Sequence, residues 1–392
     1  MRLAIVGAGQ ATATLLHTLI REEFAGSLTV FHDEGQRPAS RPPLSKTFFK
    51  TKAPEWLLPD DLIQSPQVHW VNHRVTAIDP DTGCIQWGDQ QDNFDHIVLA
   101  TGTRSLQPTI EGGSPETCHT LRTLADAEAI LTRITPNTQV VIQGSGFLAF
   151  EIAHALSEHV ASIRLLLKTD RAMPQVSDAL AHRLMEACPA TLYPSTTVER
   201  FTSETAELHT SAGILPCDLV ISAIGAIPNA ELGAPWGLTD SQGIAVDTTM
   251  QTTHPRVSAI GEVASFLNPH TQRIQRIESI AQANDTAQVL AARLLGTPRD
   301  FQATPWFWSD QGAFKLQIAG LATREDQATV LTDTEDGLVV IRHQGQQVTA
   351  LEALNQAREF MAARRLFEQG PVELSALTQA GSAFSLLQSS RS

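Results

Sequence analysis

The chain has 392 residues, 42% hydrophobic and 18% charged, the balance of a globular protein too long for one compact core, so two or three domains are expected. Lys plus Arg number 28 against 42 Asp plus Glu, a net charge of −14, which argues against a nucleic-acid binder, since that would need a basic face. No run approaches about 18 consecutive apolar residues, and the opening MRLAIVGAG lacks the long apolar stretch of a signal peptide, so a cytoplasmic protein without membrane spans is expected.

Leu3-Ala4-Ile5-Val6 is a short apolar run of strand type, followed by Gly7-Ala8-Gly9-Gln10-Ala11-Thr12 and an apolar-periodic stretch over residues 13–20. Strand, glycine turn and helix make the first half of a βαβ unit. Gly7 permits the tight turn, Gly9 lets the backbone approach a pyrophosphate, and the helix N-terminus offers free N–H groups to it. Thr12 stands where the fingerprint has Gly or Ala, and its branched side chain is expected to push helix and strand apart. The next strand, 27–34, ends on acids, and Asp33, 24 residues after Gly9, suits a ribose 2′-hydroxyl. His69 and His73 flank a strand-to-turn segment instead of sharing one helix face, so no metal site is expected.

The pattern recurs 137 residues on, where Val140-Val141-Ile142-Gln143 runs into Gly144-Ser145-Gly146-Phe147-Leu148-Ala149 and a helix carrying Glu151. The following strand, 162–167, ends on Leu167 and then Lys168, with no carboxylate for a free 2′-hydroxyl. Lys168 reads either as a cation for a 2′-phosphate, implying NADPH, or as a solvated residue beside a site that holds NADH weakly or not at all. Two such units imply one resident and one exchanging dinucleotide, the arrangement of a flavin enzyme that reacts with a nicotinamide. The four cysteines, Cys84, Cys118, Cys188 and Cys217, are scattered and form no C-x-x-C, so neither a disulfide framework nor a thiol–disulfide centre is expected.

Further segments are distinctive in combination: Arg41-Pro42-Pro43-Leu44-Ser45-Lys46; Ala100-Thr101-Gly102-Thr103-Arg104 after the strand Ile97-Val98-Leu99; Ile224-Gly225-Ala226; Ile260-Gly261-Glu262; Arg276-Ile277-Glu278-Ser279-Ile280; Pro305-Trp306-Phe307-Trp308-Ser309-Asp310-Gln311; and Asn355-Gln356-Ala357-Arg358-Glu359-Phe360. Together with the glycine units they resemble the ferredoxin-reductase branch of the FAD-dependent pyridine-nucleotide oxidoreductases, which includes the reductase components of aromatic-ring dioxygenases. The resemblance covers nearly the whole chain.

It implies an α/β protein with two Rossmann-like dinucleotide-binding domains and a small α+β C-terminal domain. FAD would occupy residues 1–105 and 226–302, NADH or NADPH residues 106–225, and the reductase domain residues 303–392. It places Gly7, Gly9, Gln10, Ala11, Thr12, Asp33, Arg41, Lys46, Val75, Ala100, Thr101, Gly102, Arg104, Gly225, Gly261 and Glu262 along FAD, and Gly144, Gly146, Phe147, Leu148, Lys168 and Glu278 about the nicotinamide nucleotide. Lys46, paired with Glu151, and Trp308 would serve catalysis beside the flavin. Glu262 replaces the family's Asp, and Ile280 its Trp. The C-terminal domain is expected to hold strands at 314–320, 329–331, 338–342 and 347–351, a helix at 357–369, and a frayed tail over 382–392.

The implied activity is hydride transfer from NAD(P)H to FAD, then single electrons to an iron–sulfur protein. The net charge sits awkwardly with an acidic ferredoxin. Arg358, Arg364 and Arg365 are either a local steering patch or ordinary solvated charges. The altered residues leave two other readings open: a flavin-dependent NAD(P)H oxidase or small-molecule tailoring enzyme with no protein acceptor, and a catalytically weakened flavoprotein that serves as a scaffold subunit.

Overall fold

The computed structural model describes residues 1–35 and 37–389. The chain divides into two units: Met1–Ser40 with Pro54–Arg104 and Ala226–Ala303, and Arg41–Ala53 with Ser105–Gly225 and Thr304–Ser392.

The first unit is built on a five-stranded parallel sheet in the order Val257–Ala259, His96–Leu99, Arg2–Val6, Ser27–His32, Val68–Asn72. A sheet covered on both faces needs strands that are apolar on both sides, and the first strand meets this from Leu3 to Val6. Leu3 and Ile5 join Leu15, Leu16, Leu19 and Leu290 on one face, while Ala4 and Val6 join Phe31 and Phe94 on the other. The helices Gln10–Arg21 and Ile280–Leu294 supply the first of these layers. The chain turns to opposite sides of Arg2–Val6, so a crevice opens where that strand meets Gly7.

Two local expectations are corrected here. Thr12 does not force a gap: it is fully buried, and its hydroxyl donates to the Gly7 carbonyl at 2.7 Å, so a hydrogen bond fills the third fingerprint position. The second strand stops at His32, where its pairing partner runs out at Asn72, leaving Asp33 and Glu34 beyond the sheet.

The second unit repeats the plan. Its parallel sheet runs Thr191–Tyr193, Ser162–Leu166, Gln139–Gln143, Leu219–Ser222, Cys118–Thr120, and the helix Phe147–Leu156 follows the central strand. A five-stranded antiparallel sheet follows in the order Trp306–Gln311, Phe314–Gly320, Gln347–Leu354, Leu338–Gln344, Gln327–Asp333. The helix Ala357–Gln369 lays Phe360, Ala363 and Leu366 into the core with Val339, Ile341 and Leu351. The tail is not frayed as far as Ser389: Ala383–Ser389 is helical, with Ala383 and Leu387 buried in that core and Glu359 accepting from Ser382 Oγ and Ala383 N. The rest of the predicted tail lies outside the described residues. Among the described residues no helix is long and apolar enough to cross a membrane.

In the first unit, His96 is buried with Nε2 2.8 Å from Ser258 Oγ, and the Arg293 guanidinium donates to the same hydroxyl. Burial, helped by that neighbouring cation, lowers its pKa to about 4. A His whose folded pKa lies below its unfolded value of about 6.5 stabilises fully above pH 6.5 and loses that contribution as pH falls towards 4. Chemical unfolding at pH 7 and pH 4.5 is expected to show a larger acid loss in the wild type than in His96→Gln, the difference approaching but not exceeding about 3 kcal/mol.

Candidate functional site

The first glycine turn is shaped for a phosphate. At Gly7 (φ +109) an added Cβ would stand 2.2 Å from the Ala100 carbonyl oxygen, so only glycine fits. At Gly9 an added Cβ would meet nothing within 4 Å. Gly9 is also the N-cap of Gln10–Arg21, with no side chain on the cap, so helix N–H groups face that open space, as an anion requires. Gly261 (φ +76) closes in from the far end of the sequence: an added Cβ would lie 3.0 Å from Ala11. Gln10 and Thr14 both donate to Asn284 Oδ1, fastening the phosphate helix to Ile280–Leu294.

Around this cradle Glu262 accepts from Thr103 Oγ1 at 2.8 Å, and its carbonyl accepts from Arg276. Thr101 and Asn229 bond to each other's carbonyls at 2.6 and 2.8 Å, and Arg104 donates to Asn229 Oδ1 and pairs with Glu231. Asp33 stands on the lip of its strand, half exposed, with Arg74 at 3.2 Å. Val75 is a core residue beside Phe31 and Phe94, and Glu278 is ion-paired to Arg276 at 2.7 Å. Gly102 accepts from Asn229 N, and Gly225 from Leu106 N. The open helix end, the glycine that admits no Cβ and the neighbouring carboxylates fit a resident dinucleotide.

The second glycine turn has the same shape. An added Cβ on Gly144 would stand 2.4 Å from the Ala223 carbonyl oxygen, and one on Gly146, the uncapped N-cap of Phe147–Leu156, would meet nothing within 4 Å. Phe147 stacks against Phe307 at 4.8 Å, and Leu148 is half-buried in the first turn of the helix. Leu167 is fully buried, whereas Lys168 is exposed with its amide on Ser145 Oγ at 3.0 Å.

One turn into this helix lies a buried carboxylate with three donors. Glu151 is 6% exposed. Its Oε2 accepts from Ser45 Oγ at 2.5 Å and Lys46 Nζ at 2.8 Å, and its Oε1 from Ser309 Oγ at 2.7 Å. Ser309 in turn accepts from the Gln311 amide at 3.2 Å. Two consecutive prolines, with φ preset and no N–H to waste, start the 3₁₀ turn Pro42–Ser45 that presents Ser45 and Lys46. Arg41, just before it, donates to the Arg122 carbonyl at 2.8 Å.

Ser309 and Gln311 were not singled out by sequence reasoning, although a signal exists. Along Trp306–Gln311 alternate residues share a face, which puts these two polar side chains on the Phe307 side, both completely buried. A buried hydroxyl and amide in a strand must find partners. The opposite face stacks Trp306 on Trp308 at 5.6 Å, and Arg364 lies over Trp306 at 4.7 Å. Arg358 lies over Phe384 at 3.5 Å, so two of the three cations proposed for steering are held on the protein's own aromatic rings, while Arg365 is exposed.

The cysteines are free. Burial raises the Cys118 and Cys188 thiols and pushes Cys217 up to about 12, which disfavours their thiolate forms.

Residues 1–287 match the family model described as pyridine nucleotide-disulphide oxidoreductase, and residues 306–387 the one described as reductase C-terminal. The chain is 30% identical to rhodocoxin reductase of Rhodococcus erythropolis, over 93% of this chain and 89% of the relative. It is 31% identical to putidaredoxin reductase of Pseudomonas putida, over 95% and 93%. Among solved structures it resembles the covalent putidaredoxin reductase–putidaredoxin complex, with a TM-score of 0.93, 29% identity and coverage of 100% of this chain and 99% of that one.

Removing the shared acceptor strands an ammonium and two hydroxyls. Glu151→Ala is expected to lose about 3 kcal/mol in urea unfolding, and Glu151→Gln, which keeps an acceptor, clearly less. Equal losses would contradict an ionic role for the carboxylate.

Proposed function

The chain belongs to the pyridine nucleotide-disulphide oxidoreductase family, and from that premise we propose that it is an FAD-dependent NAD(P)H reductase serving an iron–sulfur protein of ferredoxin type. The observation that carries the reading is the pairing of two phosphate-shaped glycine turns with a buried Lys46–Glu151 pair, on a chain that carries the reductase C-terminal region along with the nucleotide-binding one. The scattered, unpaired thiols speak against disulfide chemistry.

When bound, FAD supplies the redox chemistry, taking a hydride from a nicotinamide and releasing electrons singly. The chain's own work is binding, orientation and charge. We assign residues 1–105 and 226–302 to FAD, with Gly7, Gly9 and the helix N-terminus at Gln10 holding its pyrophosphate, Asp33 its adenosine ribose, and Glu262 its ribitol. Residues 106–225 receive the nicotinamide nucleotide at Gly144 and Gly146, and residues 303–392 carry the reductase domain. The family resemblance gives Lys46 the role of a fixed positive charge that serves the flavin. Glu151 keeps that ammonium in place, because an unpaired lysine of such low exposure (15%) would otherwise turn to solvent. Trp308 presents an aromatic face from the reductase sheet.

Anaerobic rapid mixing with NADH and with NADPH tests this. At least one nucleotide is expected to bleach the bound flavin, and Lys46→Met to slow the bleaching about 10- to 100-fold while FAD stays bound, the scale of one lost charge-assisted hydrogen bond. Reoxidation by an iron–sulfur protein completes the cycle. Bleaching that ends only in stoichiometric peroxide would replace the protein acceptor by dioxygen, and no bleaching by either nucleotide would end the reductase reading.

A further inference from the structure

The second glycine unit differs from the first at the strand lip, where a ribose would be met. Ser162–Leu166 pairs with Gln139–Gln143 as far as Gln143 against Leu166, so the next two residues stand at the lip beside the glycine turn. In a unit of this kind that lip meets the adenosine ribose. A carboxylate there holds a free 2′-hydroxyl, and a cation there accommodates a 2′-phosphate. The first unit has Asp33 at its lip. The second has Leu167, wholly buried, its amide donating to the Tyr193 carbonyl at 2.9 Å. It can offer no oxygen to a ribose.

Lys168 comes next. Its amide is fixed on Ser145 Oγ, and Ser145 is the middle residue of the Gly144-Ser145-Gly146 turn. The backbone of the lysine is thus anchored to the phosphate turn while its side chain is exposed, and no carboxylate pairs with its ammonium among the described residues. Of the acids that follow, Asp178 is taken by Arg171 at 2.9 Å, and Asp170 is exposed three positions past the buried leucine.

The loop carrying the lysine is held at both ends. Met173, in the left-handed region at φ +47, donates its amide to the Ser145 carbonyl at 2.6 Å, and its sulfur accepts from the Gln311 amide at 3.7 Å. Ser177 bonds to Glu352 through its amide at 3.0 Å and its hydroxyl at 2.5 Å, and Glu352 is paired with the buried Arg342 at 2.9 Å. A cation on a frame already fixed loses less freedom when an anion arrives.

We propose that this protein draws its reducing equivalents from NADPH in preference to NADH, with Lys168 as the residue that binds the 2′-phosphate. This rests on the reductase reading above. Calorimetry on the FAD-loaded protein is expected to show adenosine 2′,5′-bisphosphate binding about tenfold or more tightly than adenosine 5′-monophosphate, the scale of one charge-assisted hydrogen bond. Rapid mixing should show a similar advantage of NADPH over NADH in flavin reduction. Lys168→Ala should bring the two mononucleotides within about threefold, and Lys168→Glu, at an exposed position, should reverse their order by repulsion. The advantage should shrink as salt rises.

Equal binding, or preference for the monophosphate, overturns the proposal while flavin reduction by NADH leaves the reductase reading standing. A preference that survives in Lys168→Ala overturns the assignment to Lys168. NADH preference abolished by Asp170→Asn would mean that Asp170 supplies the missing carboxylate, which also overturns it. Failure of both nucleotides to bind and to reduce flavin overturns selectivity and reductase reading together.

Discussion

A single buried carboxylate, Glu151, gathers donors from two other stretches of the second unit, so that three segments remote in sequence meet at it. Ser45 and Lys46 come from the proline-started turn, Glu151 itself from the helix after the second glycine turn, and Ser309 from the first strand of the antiparallel sheet. Burying a carboxylate without such partners costs several kcal/mol; three donors, one of them charged, offset that cost and fix all three segments at once. The functional consequence follows from the same geometry. Lys46 has little freedom, so its charge is presented in one place, and Gln311 behind Ser309 ties that place to Met173 in the loop beside the second glycine turn.

The two glycine turns show one local fold reached with few differing residues. In both, a central parallel strand ends in a glycine that a carbonyl approaches too closely for any side chain, and a second glycine leaves the next helix uncapped. The units part company at the third fingerprint position and at the strand lip. Thr12 fills its position with a hydroxyl bond to Gly7. At the lip the first unit keeps an acid, while the second buries Leu167 and exposes Lys168. Packing tolerates either solution, so the difference lies in what each site can bind.

Much of this was legible in the sequence. The glycine turns, the strand Phe314–Gly320 and the helix Ala357–Gln369 fall where residue pattern places them, because turn glycines and amphipathic periods act over a few residues. The Lys46–Glu151 contact entered only through the family resemblance, since the two are 105 residues apart. Ser309 and Glu352 were missed for a related reason. Their partners Glu151 and Ser177 lie 158 and 175 residues away, and local pattern records only that a polar residue interrupts an apolar strand. Thr12 and the terminal helix were misread because β-branching and serine content were weighed without the hydroxyl's ability to bond backbone, or the capping of that helix by Glu359.

The claim that the Glu151 cluster acts through Lys46 is tested most directly by combining Ser309→Ala with Lys46→Met and following flavin reduction by the nicotinamide in rapid mixing. Ser309→Ala alone should slow reduction several-fold by loosening Glu151, and should add nothing once Lys46 is gone, a non-additivity of about 1 kcal/mol between coupled neighbours. An equal slowing by Ser309→Ala in both backgrounds would show that the serine works independently of the lysine, and that the carboxylate does not organise the site.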